Sequence, residues 1–288
     1  MTVRVRDAVP ADRQAIAAFT QDTFAWGDYV VEAFDRWLAD PDGKLYVAVD
    51  DHDVAIAMSR GALLSPTEAW FQGARVHPDW RRQGIASRLD AALEDWARDR
   101  AARVVRLCVE EGNSAAAAQV EAIGLRRVAG FAHATRPVRR PPSTAGNGSR
   151  RRRRPQRLSP ATSAEAEPAL MSWSAGDLAR SSHELFAVRW SWRRLTLADL
   201  VAAGRSGALW QSPSGWALAA VDNDALEVGW LETGPDEAAD LLAALVPLAA
   251  EQGADRVAAM LPDAGWLVTA AASLGYDPRP FSIYAKAI

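Results

Sequence analysis

Cysteine and lysine are almost missing from this chain. One of 288 residues is cysteine, Cys108, which excludes an internal disulfide and any zinc site built on cysteines. Its place in an alternating apolar stretch suits a small core side chain; a catalytic thiol is the other reading. Only Lys44 and Lys286 are lysine among the 33 basic residues, and the arginine excess reads as codon bias in a GC-rich genome. No apolar run reaches the roughly eighteen residues of a membrane span, and no signal-peptide pattern opens the chain. A cytoplasmic protein without a membrane or metal partner is the expectation. The remaining composition, 49% hydrophobic and 24% charged, is that of one or two globular domains.

Acids are missing from one region. Nine arginines and no Asp or Glu lie between Arg136 and Arg157. Without those nine charges the net of −3 becomes −12, so the folded parts are acidic, which argues against nucleic acid on their faces. Residues 139–168 read as an Arg/Pro/Ser/Gly-rich flexible linker without apolar periodicity. Within it, Arg150 to Arg154 has two readings: electrostatic docking on RNA, an acidic partner or nucleotide phosphates, or a solvated, self-repelling tether. The tether is preferred.

The first segment reads as a mixed α/β unit. Val3 to Ala8 alternates as a strand, and Pro10-Ala11-Asp12 opens a helix through Ile16, Phe19 and Phe24. A second helix runs from about Tyr29 to Leu38, followed by a turn at Asp40 to Gly43. Lys44 to Val49 and Val54 to Arg60 form a hairpin, and Trp70 to Val76 is the next strand. After it comes Arg81-Arg82-Gln83-Gly84-Ile85-Ala86, a basic, glycine-containing loop opening a helix. Such a start offers free backbone N–H groups to a diphosphate. Ile85, Leu89, Leu93 and Trp96 then form one apolar stripe. Arg103 to Val109 is β-branched and alternating, hence a strand. Asn113 suits an N-cap for the helix Ser114 to Ile123, which Gly124-Leu125 ends.

The loop fits R/Q-x-x-G-x-G/A and resembles the acetyl-CoA pyrophosphate loop of the GNAT (Gcn5-related) N-acetyltransferases. The order of elements over residues 1–138 is similar to the family throughout, including N-x-x-A…G-F at Asn113, Ala116 and Gly124, with Leu125 in the phenylalanine position. The resemblance implies a GNAT acyl-CoA N-acyltransferase fold of mixed α/β (α+β) class, a mostly antiparallel central sheet flanked by helices. It implies acetyl-CoA (coenzyme A) as cofactor. Val76 and its neighbour Arg75 would contact the pantetheine arm, Arg81, Arg82, Gln83, Gly84, Ile85 and Ala86 the pyrophosphate, and Asn113 the cofactor arm.

Proton handling departs from the family. The tyrosine seven residues after the asparagine is here Val120. Ala69 to Val76 resembles a subgroup reading AW-x-EG-x-RV, which includes amino-acid and histidine Nα-acetyltransferases, but Gln72 replaces its glutamate. Glu68, Gln72, His77, Glu110 and Glu111 remain as weak candidates, each also readable as a solvated side chain, with His77 a turn residue. Trp26, Asp28 and Tyr29, between the first two helices, are acceptor-pocket candidates: Asp28 for a cation, the aromatics to cover it. Core aromatics and an N-cap Asp28 are the other reading.

The second half repeats the first. Ala254-Asp255-Arg256-Val257-Ala258 matches Ala101 to Val105, and Leu274-Gly275-Tyr276 matches Ile123 to Leu125. Strands are expected at Gly207 to Trp210, Trp216 to Val221, Leu226 to Leu231, Arg256 to Leu261 and Phe281 to Ala287. Helices are expected at Asp236 to Gln252 and Trp266 to Ser273. This implies a tandem protein whose 169–288 part is a diverged GNAT-like domain. Gly234-Pro235-Asp236-Glu237-Ala238-Ala239 replaces the basic loop, so this half is expected not to bind acetyl-CoA. The function expected is transfer of acetyl from acetyl-CoA to a primary amine of a small molecule or amino acid, by direct attack, in a monomer or homodimer. A protein or peptide N-terminal acetyltransferase and a catalytically silent acyl-CoA-binding protein are the alternatives.

Overall fold

The computed structural model describes residues 2–21, 23, 27–138 and 157–288. Trp26, the start of the expected linker and the run Arg150 to Arg154 lie outside them. In chain order the elements are β1 (Arg4–Asp7), α1 (Asp12–Thr20), α2 (Val30–Leu38), β2 (Gly43–Val49), β3 (Ala55–Ser65) and β4 (Glu68–Val76). Then come α3 (Ile85–Asp99), β5 (Val104–Glu110), α4 (Ser114–Ala122) and β6 (Arg126–Pro137). Next are β7 (Ser159–Pro160), α5 (Ala166–Ala175), α6 (Asp177–Ser181), β8 (Leu185–Ala187), β9 (Trp192–Arg194) and α7 (Leu197–Ser206). The chain ends with β10 (Leu209–Ser212), β11 (Gly215–Asp222), β12 (Ala225–Glu232), α8 (Ala238–Glu251), β13 (Arg256–Pro262), α9 (Gly265–Ser273) and β14 (Asp277–Ala287).

The chain gathers into two compact units. The first comprises Met1–Cys108, Ala115–Arg127 and Tyr284–Ile288; the second comprises Val109–Ser114 and Val128–Ile283. In the first, the strand order is β1-β2-β3-β4-β5, followed by the end of β14, where the Ile288 N–H donates to the Arg103 carbonyl at 3.1 Å. β1 to β4 pair antiparallel, and β4 pairs parallel with β5. Alternation along these strands feeds two cores. One face packs Ile16, Val30, Phe34, Trp37, Val47 and Met58 beneath α1 and α2. The other packs Phe71, Leu93, Trp96 and Val105 beneath α3, joined by Ile56, Ile85 and Leu89. Each such large buried side chain contributes about 1.5–3 kcal/mol of transfer free energy.

The second unit orders its strands β14-β6-β13-β12-β11-β10-β7. Here β10, β11 and β12 are antiparallel and β12 and β13 parallel, the same succession as β2 to β5. The apolar helix α8 supplies Leu241, Leu242, Leu245 and Leu248 to its core, and Trp173 packs edge-on against Trp230 at 5.6 Å.

Residues 159–168, read from the sequence as linker, instead carry β7, a 3-10 turn at Ser163–Glu165 and the start of α5. Thr162 and Glu165 form a capping box there, so local hydrogen bonding rather than apolar periodicity organises the segment. Helix α1 ends at Thr20, short of Phe24. No helix among the described residues is long and apolar enough to cross a membrane.

Candidate active site

β4 is paired differently along its length. Its parallel ladder with β5 covers only Glu68↔Val104, Ala69↔Val105 and Trp70↔Arg106, although β4 continues to Val76. From Phe71 onward that edge of β4 is unladdered, so its peptide groups are open to an extended, amide-bearing arm. On the other edge the register with β3 jumps from Arg60↔Gln72 to Met58↔Arg75. Gly73, at φ +70°, lies in this bulge, and a bulge re-aims the residues after it.

The chain then turns. Pro78–Trp80 is a 3-10 turn whose first N–H, that of Asp79, donates to His77 Nδ1 at 3.2 Å. Arg82 and Gly84 both have left-handed backbone, at φ +61° and +73°. Left-handed residues beside a helix start turn successive N–H groups toward one concave side. The N–H groups of Arg82 to Ser87 find no acceptor among the described residues. A Cβ placed on Gly84 would meet nothing within 4 Å: the space before the loop is open, as a pyrophosphate cradle requires. Arg81 Nε donates to the Val76 carbonyl at 3.3 Å. Ile85 is buried and anchors the helix start in the core, and half-buried Ala86 follows it. Gln83 Nε2 reaches the Asp79 carbonyl at 3.4 Å.

Beside the bulge, Arg75 and Asp28 form a bidentate pair, Nε–Oδ2 2.6 Å and Nη2–Oδ1 3.1 Å. The Asp28 side chain is 1% exposed. Burial pushes its carboxyl up, but the Arg75 hydrogen bonds and the Val30 N–H outweigh burial and hold it below its ordinary value. Asp28 is therefore already neutralised and does not wait for a cationic substrate; the substrate role expected for it gives way to fixing Arg75 and the start of α2. Arg75→Ala leaves that carboxylate buried without its partner and is expected to cost about 2–3 kcal/mol in denaturant unfolding. Asp28→Asn combined with Arg75→Ala should recover part of the loss.

Tyr29 lies against this pair, with the Arg75 guanidinium 5.6 Å from its ring centroid and Trp37 edge-on at 5.8 Å. Burial pushes its phenol above the ordinary value; Arg75 opposes the rise, and the Cys108 thiol and Asp28 add to it. The residue as a whole is 39% exposed, so the rise is modest. Cys108 is half-buried rather than a core residue, and it follows the last ladder pair on β5. Tyr29 thus interacts with Arg75 and Cys108, residues of β4 and β5 beyond the point where their ladder ends. The 47-residue separation of Arg75 and Asp28 hid this cluster from sequence reasoning.

The other candidates divide. Glu68 is buried and bonded to Arg106 Nη1 at 2.6 Å and Ser65 Oγ at 3.0 Å, at the laddered end of β4, so it is an ion-pair partner and not an available base. Gln72 stands opposite Arg60 just before the bulge. His77 caps the turn and meets the Phe19 ring edge-on at 5.6 Å. Glu110 ends β5 exposed, its carbonyl accepting from the Asn113 N–H, and Glu111 accepts from Ser282 Oγ at 3.2 Å. Val120 is buried.

In the second unit the ladder of β12 with β13 also stops early, at Val228↔Ala259. Immediately beyond, the Ala187 carbonyl of β8 approaches Gly229 so closely that a Cβ there would lie 2.3 Å from it. Backbone from β8 therefore packs where β12 passes its last pair.

Residues 13–124, which span the loop and the flanking strands, match the Acetyltransferase (GNAT) family. An aminoglycoside N(6')-acetyltransferase type 1 from Stenotrophomonas maltophilia is 29% identical over 143 residues, 46% of this chain and 89% of that protein. A GCN5-related N-acetyltransferase from Sphaerobacter thermophilus superposes over 99% of this chain and 95% of its own, with TM-score 0.67 and 16% identity. A tandem GNAT protein from the clavulanic acid biosynthesis pathway does so over 99% and 98%, with TM-score 0.57 and 16% identity; these two are likenesses of fold. With its loop, its interrupted β4–β5 ladder and its repeated strand order, the chain belongs to the GNAT acetyltransferase family, as an acyltransferase of the tandem type.

Proposed function

We propose that the chain transfers acetyl from acetyl-CoA to the primary amine of a small molecule or amino acid, at one site in the 1–138 domain. The observation that carries this reading is the open, N–H-lined start of α3 directly after the freed edge of β4. The residues fit the cofactor: the N–H groups of the Arg82 to Ala86 stretch suit a pyrophosphate, and the β4 edge suits the amides of pantetheine. Arg81 and Arg82 add positive charge where those phosphates would lie. The aminoglycoside acetyltransferase likeness supports a small-molecule amine as acceptor.

Bound there, acetyl-CoA supplies the thioester that a neutral amine attacks directly, coenzyme A leaving as the thiol. Tyr29 holds its proton at Oη through neutral pH, because burial raises its phenol, and is the group we assign as proton donor in place of the absent tyrosine at Val120. Tyr29→Phe is expected to lower kcat by about 10²-fold, to leave acetyl-CoA affinity unchanged and to shift the alkaline limb of the pH–rate profile. Equal rates at every pH would remove Tyr29 from this role.

The 169–288 domain is read as not binding acetyl-CoA. Asp236 and Glu237 stand where the basic loop would be, and β8 packs against Gly229. The test of the whole reading is thiol release and acetylated product across a panel of primary amines, amino acids and N-terminal peptides. Acetyl-CoA binding without turnover on any of them would favour a silent acyl-CoA-binding protein.

A further inference from the structure

An open pocket of about 200 Å³ lies in the second unit, at the end of β12, lined in part by Ser172, Trp216, Glu232, Thr233 and Glu237. Glu232 is 6% exposed. Its Oε1 accepts from Ser172 Oγ at 3.1 Å, while Oε2 is enclosed and has no hydrogen-bond partner. Burial and the like charge of Asp177 push its carboxyl up, and no cation acts on it. The side chain is held in place: a Cβ on Gly176 would lie 2.9 and 3.1 Å from its two oxygens. Across the pocket the Trp216 Nε1–H is likewise enclosed and without an acceptor. A buried polar atom left unmatched costs about 1–3 kcal/mol, so both ends of the pocket favour an occupant that satisfies them.

We propose that this pocket is a second small-molecule site, taking a compact primary ammonium that also carries a hydroxyl. The ammonium donates to Glu232 Oε2, with Glu237 adding a second negative charge, and the hydroxyl oxygen accepts from Trp216 Nε1. An anion is opposed by two carboxylates, whose charge exceeds the roughly +0.5 of the α8 N-terminus. An apolar molecule leaves both enclosed polar atoms unmatched. The volume, against about 30 Å³ for a water in the liquid, admits an amino alcohol or one amino-sugar ring. The site is independent of the loop at Arg81 to Ala86.

The test is a calorimetric titration of the full chain with ethanolammonium, methylammonium, glucosammonium and tetramethylammonium chlorides. Ethanolammonium and glucosammonium are expected to bind saturably, and tetramethylammonium, with neither N–H nor O–H, is not. Glu232→Gln should weaken ethanolammonium at least tenfold without lowering the unfolding temperature, since it removes a buried charge. Trp216→Phe should weaken ethanolammonium but not methylammonium, which has no hydroxyl. Gly84→Glu should leave all of this unchanged, separating this site from the acetyl-CoA reading. Absence of saturable binding, or affinity unchanged in Glu232→Gln, overturns the proposal. So does binding lost in Gly84→Glu and kept in Glu232→Gln.

Discussion

Gly84→Glu is expected to weaken acetyl-CoA binding by a factor of about 10²–10⁴ while the protein stays folded. The new side chain enters the open space before the loop, where a Cβ meets no protein atom within 4 Å. It brings a carboxylate to the pyrophosphate position and displaces the phosphates from their N–H donors. Losing two charge-assisted hydrogen bonds at about 1.5–3 kcal/mol each sets that range. The structural penalty is smaller: a side chain at φ +73° costs roughly 1–2 kcal/mol. Gly84→Ala carries the same backbone cost without the charge, so it should retain most of the affinity. Equal affinity in wild type and Gly84→Glu would show that the loop does not hold the phosphates.

Asp90→Asn should stabilise the protein by about 2–4 kcal/mol at pH 8 and by nearly nothing at pH 3.5. Asp90, on α3, is 8% exposed, and burial, with the negative charge of Glu94 added, pushes its carboxyl up to about 7. Lys286 acts in the opposite direction but is committed to Glu94, with Nζ 2.7 and 2.9 Å from its oxygens. The folded-state value lies above the unfolded one, so the folded state binds this proton more tightly. The penalty is absent below about pH 4, grows as pH rises toward 7 and is complete above it. Thermal unfolding at the two pH values reads the difference, roughly 5–10 °C at pH 8. A shift of the same size at both would show that Asp90 is not buried as a near-neutral acid.

Legibility in the sequence followed contiguity. β4, the loop and α3 are consecutive, and each carries its own signal: alternation, a glycine among arginines, then an apolar stripe. The repeat was legible at Arg256 and Gly275 because parallel strands and helix-ending glycines keep their spacing. β6 was not, since Ala129, Gly130, Phe131 and Ala132 are all buried, and a strand covered on both faces loses its period of two. Helix α7 was also passed over, although Thr196 and Asp199 form a capping box before it and Gly207, at φ +74°, follows it. That signal was present and unread. The grouping of Tyr284–Ile288 with the first unit and of Val128 onward with the second has no local signature, because strand partners are chosen by tertiary packing. The same holds at the site. A carboxylate at Asp28 looks free in sequence, and only its pairing with Arg75 shows that its charge is spoken for.

Equilibrium titration of acetyl-CoA into the full chain tests the single-site reading most directly. One site per chain is expected, abolished by Gly84→Glu and untouched by substitution at Asp236 or Glu237. Two sites per chain, or one site that survives Gly84→Glu, would contradict it.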